Sequence, residues 1–348
     1  MADPTVSQAR SFKENPRHYP RKLQVGLYNK FSKRLPFHPL PENPKKILIQ
    51  AQEKIGDSIL LFPTIAGMKD LFPVAEIHLL CSRMNESIFQ SLEEVEKTMV
   101  YRNRGFWSLI GETDYDLFYN PKDHPSITAF KIAKRVKAKV KVCLAHPRQE
   151  QHYNYGLTVN HLDRILEKNA ALITEYDPGF NFDSKFPNID NSSPINKNHI
   201  SINLSAGSES RKWPLESWIE LIDSFGKDNA GIQVDIFSYS HEGDLAKKIE
   251  KRFGMVVKLF PLLDSIIDAG PIIQKSSILI SPDTAMIHVA DAVGTPVVGL
   301  YSGDDRNVAR YRPYWVQHRI IQSSALSIQS IKPDRVFEAS KELMALNS

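Results

Sequence analysis

Cysteine is scarce in this sequence, and its scarcity excludes two classes of site. Only Cys81 and Cys143 occur among 348 residues, and they are far apart in the chain. Neither belongs to a CxxC pair or a His/Cys cluster, which excludes a disulfide framework and a structural zinc site. Each lies near the end of an apolar run, so we expect both to be buried hydrophobic side chains in a reducing compartment.

Long apolar runs are missing as well. No stretch approaches the roughly 18 apolar residues of a membrane span, and the N-terminus has no apolar core of a secretory signal. These absences predict a soluble, cytoplasmic protein. The sequence also lacks the Walker A motif and the G-x-G-x-x-G dinucleotide motif, so neither common phosphate-binding loop is expected.

The charge of the chain is unevenly distributed. The formal net charge is +4, but residues 1–46 carry ten basic and three acidic side chains, a net +7, and the remaining 302 residues carry −3. A nucleic-acid partner is not expected, because the acidic body of the chain has no RNA- or DNA-binding motif. The basic character belongs to the N-terminal segment alone.

Short apolar strands alternate with helical patterns along the rest of the chain. Hydrophobic residues at 42% and charged residues at 24% are ordinary globular values, and the length suggests two domains. The alternation predicts parallel βαβ units and a doubly wound α/β fold. It is interrupted once, by a segment rich in Pro, Asn, Asp and Ser that we interpret as a linker. The predicted units are an N-terminal extension over 1–45, a first Rossmann-like domain over 46–176, the linker 177–197 and a second Rossmann-like domain over 198–348.

Three strand-to-helix junctions carry polar residues that could perform chemistry. The first, Lys54-Ile55-Gly56-Asp57, follows the strand 46–50 and places Asp57 at a helix start, where an aspartate also serves simply as a cap. The second consists of the small residues Ser205–Ser208, followed by Arg211, Lys212 and Trp213. Such a loop can hold phosphate between backbone N–H groups and basic side chains, or it can be an ordinary polar loop with one buried tryptophan.

The third junction is Ser281–His288. Asp283 or Thr284 is expected to cap a helix, and His288 lies four residues after Thr284 on the same helical face. The unpaired N–H groups and the positive dipole end of such a helix suit an anion.

Three segments resemble the bacterial ADP-heptose:lipopolysaccharide heptosyltransferases, glycosyltransferase family 9. Asp283–Gly299 is similar to the family segment D-T-G-x-x-H-x-A-x-A-x-G-x-P-x-V. The strand and turn around Ile55-Gly56-Asp57 and the Ser205–Ser208 loop with its K-W-P helix agree in order and spacing. The resemblance extends from about residue 46 to the C-terminus.

The resemblance implies a GT-B fold, in which two Rossmann-like domains face a central cleft. It implies an inverting, metal-independent transfer of heptose from ADP-heptose to a lipopolysaccharide core or a related glycolipid, with the nucleotide-sugar as co-substrate and no cofactor. On this reading Asp57 is the general base, and Gly56 and Lys54 lie on the acceptor side. The donor-binding positions are then Ser205, Gly207, Ser208, Lys212, Glu242, Asp283, Thr284, Ala285 and His288. Lys212 would neutralise the diphosphate, and Glu242 occupies the position of an acid on the nucleotide ribose.

The chain departs from the family pattern in two places. Ala285 replaces the usual glycine after D-T, which is harmless only if its φ angle is negative. The end of the first strand reads Gln50-Ala51-Gln52-Glu53, where the family commonly has a basic residue. Two alternatives therefore stay open: the same mechanism with another nucleotide-sugar or acceptor, and a non-catalytic nucleotide-binding module. Asp114-Tyr115-Asp116 resembles a metal-binding D-x-D, but we interpret it as the start of a strand.

The N-terminal segment contains a predicted basic amphipathic helix over 22–35. Leu23, Leu27, Phe31 and Leu35 recur at four-residue steps among lysines and arginines. This stripe either packs on the first domain or contacts an anionic membrane surface, with residues 1–40 holding the enzyme at the inner leaflet of the bacterial inner membrane.

Overall fold

The chain forms two parallel β-sheets of six strands each. The computed structural model describes residues 18–346 apart from 161, 191, 193, 229–230, 239–242, 261–262 and 264. The first sheet contains β1 Lys46–Ala51, β2 Glu76–Cys81, β3 Lys97–Val100, β4 Asp114–Asn120, β5 Lys137–Leu144 and β6 Tyr155–Leu157. The second contains β7 Asn196–Asn203, β8 Gln233–Phe237, β9 Val257–Phe260, β10 Ser276–Pro282, β11 Val297–Tyr301 and β12 His318–Gln322.

Helices connect and cover the strands. The helices of the first half are α1 His18–Lys30, α2 Ile55–Ile59, α3 Phe62–Leu71, α4 Glu86–Gln90, α5 Phe106–Glu112, α6 Ile127–Arg135, α7 Ile165–Asn169 and α8 Ala171–Tyr176. Those of the second half are α9 Leu215–Asp228, α10 Gly243–Phe253, α11 Gly270–Ile273, α12 Ala285–Ala292, α13 Asp305–Tyr311 and α14 Pro333–Leu346. A break after α2 falls beside Pro63, which lies in the first turn of α3, where a proline costs no hydrogen bond.

The two sheets have the same topology. Their strand orders are β3-β2-β1-β4-β5-β6 and β12-β11-β10-β7-β8-β9. Numbered within each half, both orders are the doubly wound 3-2-1-4-5-6 arrangement, with every pairing parallel. This confirms the predicted fold class. In such sheets ligands bind outside the carboxyl ends of the strands where the winding reverses, which is beside β1 and β4 in one sheet and β7 and β10 in the other.

The central strands are buried on both faces because helices cover both sides of a parallel sheet. Ile47, Leu48 and Ile49 of β1 are completely buried. Cys81 and Cys143 are also buried and free, as predicted, and burial raises the pKa of the Cys81 thiol to about 12.

Helix α1 docks on the first domain through a face other than the predicted stripe. Val25 is buried in a cluster with Phe130, and Asn29 makes hydrogen bonds with Arg148, Gln151 and His152. Leu23, Leu27 and Phe31 instead expose 67%, 53% and 83% of their surface. The alternative in which this stripe packs on the domain is therefore wrong, and the helix ends at Lys30 rather than at residue 35.

Within the part of the chain that the structure describes, no helix is long and apolar enough to cross a membrane.

Candidate active site

The three polar junctions lie at the two switch points of the sheets. The loop that leads to α2 follows β1, the Ser205–Ser208 loop follows β7, and Asp283 and Thr284 follow β10. Helix α2 of the first domain packs directly on α12 of the second. The fold thus brings Gly56 next to Ala285 and His288, which are far from it in the sequence.

A buried asparagine fixes the loop before α2. The Nδ2 group of Asn85 donates to the carbonyl oxygens of Ala51 and Glu53, at 2.9 and 3.2 Å, and to Oγ of Ser58 at 2.9 Å. Asn85 is completely buried, so these bonds form without competition from water. Sequence reasoning missed this residue because it lies in a different loop, after β2.

Asp57 lies in the first turn of α2 with a half-buried carboxyl group. Burial, reinforced by the charge of Glu53, raises its pKa from 3.8 to about 6. The opposing influences are smaller: the Lys54 charge, the nearby Tyr311 hydroxyl and the Arg310 charge. A carboxylate of this pKa is ionised at neutral pH and is a stronger base than an ordinary aspartate.

Gly56 allows α2 and α12 to approach closely. A Cβ placed on Gly56 would lie 3.1 Å from Cδ2 of His288 and 3.6 Å from Cβ of Ala285. Ala285 itself is the first residue of α12 and has a negative φ. The departure from the family glycine therefore introduces no backbone strain.

His288 is buried at this helix contact. Its exposed fraction is 4%, and burial lowers its pKa to about 4, so the ring is neutral at physiological pH. Its Nδ1 atom is buried with no hydrogen-bond partner. The ring centroid lies 6.1 Å from that of Tyr311.

Asp283 is held by a basic side chain from the second junction. Nη1 of Arg211 donates to the Asp283 carbonyl oxygen at 2.8 Å, and Nη2 lies 3.2 Å from Oδ2. The Asn307 amide also donates to Oδ2. Burial raises the pKa of Asp283, and the charges of Arg211 and Lys54 oppose that rise. Lys54 therefore acts electrostatically on both carboxyl groups of the site.

Asn203 joins the second and third junctions. Its amide donates to Oγ1 of Thr284 at 2.9 Å and to Oγ of Ser281 at 3.0 Å, and its Oδ1 accepts from the Ser205 backbone N–H at 3.1 Å. Thr284 directly precedes α12, and its side chain does not cap the helix. Ser205 is buried, whereas Gly207 and Ser208 are exposed.

The remaining predicted donor residues have other surroundings. Lys212 forms an ion pair with Glu209 at 2.9 Å, and 43% of its side chain is exposed. Ser208 shares a hydrogen bond with Ser210. Glu242 lies outside the described residues. Lys212 follows the Ser205–Ser208 loop, and its role in neutralising the diphosphate stays a prediction.

Two residues of α13 reach the site from a segment that the sequence did not single out. Tyr311 lies close enough to Asp57 for each to influence the pKa of the other. Nη2 of Arg310 lies 2.6 Å from Oδ2 of Asp123, which follows β4 of the first domain. No spacing pattern in the sequence links α13 to α2. Their proximity results only from the packing of one domain on the other.

The D-x-D sequence lies away from this site. Asp116 accepts from the backbone N–H groups of Lys45 and Lys46, at 2.8 and 3.1 Å, and pairs with Lys139 at 2.7 Å. These contacts are at the amino end of β4, whereas Asp57 follows the carboxyl end of the parallel strand β1. No three His, Cys, Asp or Glu side chains converge on a metal position within the described ranges.

The arrangement combines a basic carboxylate with groups that attract anions. Asp57 follows Gly56, at which α2 of one domain contacts the first turn of α12 of the other. The Lys54 charge acts on Asp57 and Asp283, and Arg211 pairs with Asp283. This combination can remove a proton from one molecule while stabilising negative charge on another.

Comparison with known proteins places the chain in a family. The model of glycosyltransferase family 9 (heptosyltransferase) matches residues 105–338. The lipopolysaccharide core heptosyltransferase OpsX of Haemophilus influenzae is 20% identical over 298 residues, covering 78% of this chain and 83% of that protein.

Among solved structures, E. coli heptosyltransferase WaaC with ADP superposes with a TM-score of 0.70 at 15% identity, covering 86% of this chain and 99% of that one. E. coli ADP-heptose lps heptosyltransferase II gives 0.68 at 16% identity, with coverages of 87% and 99%. At these identities the structural likeness establishes the fold, which is the GT-B arrangement of the heptosyltransferases.

Proposed function

The chain belongs to glycosyltransferase family 9, the heptosyltransferases, and we propose that it transfers heptose from ADP-heptose to a sugar of the lipopolysaccharide core. The observation that carries this proposal is the half-buried Asp57 carboxyl group, whose pKa of about 6 suits a general base and which lies on α2 where that helix packs against α12 across the domain interface. The donor is inferred from relatives described with ADP, and the acceptor from the core heptosyltransferase of H. influenzae.

In the proposed reaction Asp57 removes the proton from an acceptor hydroxyl. The hydroxyl oxygen then forms a bond to the anomeric carbon of the heptose as the bond from that carbon to the nucleotide diphosphate breaks. The attack comes from the face opposite the leaving group, so the configuration at the anomeric carbon inverts. The proton stays on Asp57, and the diphosphate leaves with the bonding electron pair.

The leaving diphosphate needs positive charge. We propose that Lys212 supplies it, assisted by the backbone of Ser205–Ser208 and the N-terminus of α12 at Thr284. Arg211 already holds the backbone of Asp283 beside that helix end. With these groups present the proposed transfer needs no metal ion and no cofactor.

The other proposed donor contacts are Gly207, Asp283, Ala285 and His288, with Glu242 on the ribose. Lys54 and Gly56 lie on the acceptor side, because they belong to the domain that supplies the base.

Product analysis tests this function. The protein is incubated with ADP-heptose and other nucleotide-sugars, each with lipopolysaccharide-core acceptors, and the products are identified by mass spectrometry. We expect a heptosylated acceptor with ADP-heptose, undiminished in the presence of EDTA and absent for Asp57→Asn. Product from a different nucleotide-sugar alone would reassign the donor.

Nucleotide binding tests the non-catalytic alternative. Thermal shift with ADP, UDP, GDP and CMP should show stabilisation by ADP in both the wild type and Asp57→Asn. ADP binding without turnover on any acceptor would favour a binding module, and no stabilisation by any nucleotide would contradict the donor-site assignment.

We also propose that the N-terminal segment binds the anionic surface of the membrane that holds the acceptor. The stripe of Leu23, Leu27 and Phe31 is exposed, and Phe37 exposes 71% of its surface beside it. Lys30, Lys33 and Arg34 are exposed on the same segment. An apolar stripe among basic side chains suits anionic phospholipid, and the opposite face of α1 fixes the segment to the first domain.

A further inference from the structure

The hydroxyl group of Tyr311 is the feature of the site that the transfer reaction described so far leaves unused. Tyr311 is the last residue of α13 in the second domain, yet it packs in a small cluster with Leu60, Ile165 and Leu166 of the first domain. Leu60 directly follows α2, the helix that carries Asp57. The tyrosine therefore crosses the domain interface to reach the helix of the base.

Three contacts hold Tyr311 in this place. Its carbonyl oxygen accepts from the hydroxyl of the buried Tyr301 at 2.9 Å. Its ring lies 6.1 Å from that of His288, which in turn is adjacent to Gly56. The preceding residue, Arg310, forms the 2.6 Å ion pair with Asp123 of the first domain.

The ion pair at Arg310 is itself well supported. Asp123 also pairs with Nζ of Lys168 at 3.1 Å, and Lys168 is 2% exposed. These two cations and a hydrogen bond with His124 keep the pKa of Asp123 well below its usual range. Asp123 thus stays ionised at every pH at which the enzyme works, and the domains stay linked at α13.

We propose that Tyr311 is a positioning residue for Asp57: its hydroxyl, delivered across the interface and held by the Arg310–Asp123 pair, binds one carboxylate oxygen and leaves the other for the acceptor hydroxyl. This inference rests on the proposed role of Asp57 as the base. Burial keeps the Tyr311 hydroxyl protonated, since its pKa lies above its usual value. It therefore donates a hydrogen bond to the ionised base and does not compete for the acceptor's proton.

The charged groups around Asp57 determine the sign of the expected effect. Glu53 raises its pKa, whereas Lys54, Arg310 and the Tyr311 hydroxyl lower it, and His288 on α12 is neutral. Tyr311→Phe removes one of the lowering influences, so the pKa of Asp57 should rise by about half a unit to one unit. Activity should then fall more at pH 6 than at pH 8, with the donor KM unchanged.

The experiment compares Tyr311→Phe with Tyr314→Phe in the full chain. Tyr314 packs in the same aromatic cluster but does not act on Asp57. The titration of Asp57 is followed by carboxyl-carbon NMR with labelled aspartate, with the resonance assigned from Asp57→Asn, and the pH profile of kcat/KM is measured alongside. We expect both readouts to shift in Tyr311→Phe and neither in Tyr314→Phe.

An unchanged Asp57 titration in Tyr311→Phe would overturn the inference. Substantial turnover by Asp57→Asn would instead overturn the proposed function, and the NMR titration would still test the tyrosine contact. A second pair of variants tests the position of Tyr311 without changing its side chain. Arg310→Gln should lower kcat about tenfold, because loss of the ion pair with Asp123 loosens α13. Arg306→Gln, at an exposed position of the same helix, should leave kcat unchanged.

Discussion

Asp57 shows how the surroundings of one side chain change its acidity. Aspartate at the start of a helix ordinarily serves as a cap with an acidic carboxyl group. Here the helix start is pressed against a second domain, and loss of water raises the pKa of the carboxyl to about 6. The residue type was evident from the sequence, whereas its basicity comes from its burial.

This altered pKa predicts that Asp57 destabilises the folded protein at neutral pH. Because the folded form binds the proton more tightly than the unfolded chain, stability contributed by Asp57 is complete below about pH 4. It is then lost as the pH rises through about 6. Asp57→Asn, which carries no charge, should be more stable than the wild type by about 1–2 kcal/mol at pH 8, allowing for partial exposure. Denaturant unfolding at pH 8 and pH 4 measures the difference, which should vanish at pH 4. An equal difference at both pH values would contradict a burial-raised pKa.

The pH dependence of the wild-type activity should reflect the ionisation of Asp57. Since the base must be ionised, kcat/KM should rise with pH and level off above about pH 6. The profile is measured with saturating acceptor between pH 3.5 and pH 9. An acidic limb near pH 4 would show that Asp57 is not desolvated in the working enzyme.

The close contact of α2 and α12 at Gly56 leads to a prediction for substitution of this residue. Helix propensity favours alanine over glycine by up to about 1 kcal/mol, but a Cβ here would lie 3.1 Å from Cδ2 of His288. Gly56→Ala should therefore not show this gain in helix stability, because overpacking by the added methyl group costs about 1 kcal/mol or more. It should also reduce kcat several-fold, because the methyl group displaces α2 from α12. Gly226→Ala is the matched control, because Gly226 lies in α9 with open space around it. Stabilisation of both variants with unchanged kcat would refute the close helix contact.

At the scale of elements, the site is built where loops after parallel strands meet, and buried amides fix those loops. Asn85, in the loop that follows β2, holds the loop before α2. Asn203 connects the end of β7 to the start of α12. Both amides are buried, and each bonds to groups from two different segments of the chain. The polar residues near strand ends thus determine how precisely the predicted site residues are placed.

Removal of the Asn203 amide should loosen donor binding as well as the fold. Asn203→Ala leaves the Ser205 N–H and the Thr284 hydroxyl without this partner, and we expect a loss of about 1–3 kcal/mol in unfolding free energy. ADP affinity, measured by calorimetry, should fall about tenfold or more. Ser201→Ala is the control, since Ser201 lies in the same strand but bonds to Ser276, the first residue of β10, and to neither Ser205 nor Thr284. Equal ADP affinity in the two variants would show that Asn203 does not support donor binding.

For the molecule as a whole, the linker is also part of the core. Phe186 packs against Phe62 of α3, with ring centroids 6.0 Å apart, and occupies the space above Gly270 of the second domain. A Cβ on Gly270 would lie 2.4 Å from Cε1 of Phe186. One aromatic side chain therefore contacts both domains, which couples their stability.

Phe186→Ala should separate the unfolding of the two domains. We expect a destabilisation of about 2–4 kcal/mol and a change from one denaturant transition to two, with Trp107 reporting on the first domain and Trp218 on the second. Phe180→Ala is the comparison, because Phe180 packs beside Gly67 within the first domain. A single transition in both variants would show that other contacts couple the domains.

The membrane proposal also belongs to the whole molecule. The double variant Leu27→Ser/Phe31→Ser should lose most of its cosedimentation with anionic phosphatidylglycerol vesicles, and binding by the wild type should weaken with salt. The double variant Val74→Ser/Met255→Ser removes apolar side chains elsewhere that are at least as exposed, and it should bind as the wild type does. Equal vesicle binding by the two double variants would show that α1 does not contact the membrane.

The sequence by itself determined the alternation of strands and helices, the doubly wound fold class and the polar character of the three junctions. These properties depend on local periodicity and on motifs of a few residues, which the chain order preserves. Only the tertiary structure decided that Tyr311 and Arg310 reach Asp57 and Asp123, and that the stripe of α1 stays exposed while Val25 is buried. Contacts between domains depend on which surfaces are complementary in space, and no local spacing records that. The domain boundaries and the roles of the donor residues remain predictions, whereas the fold and the family are established.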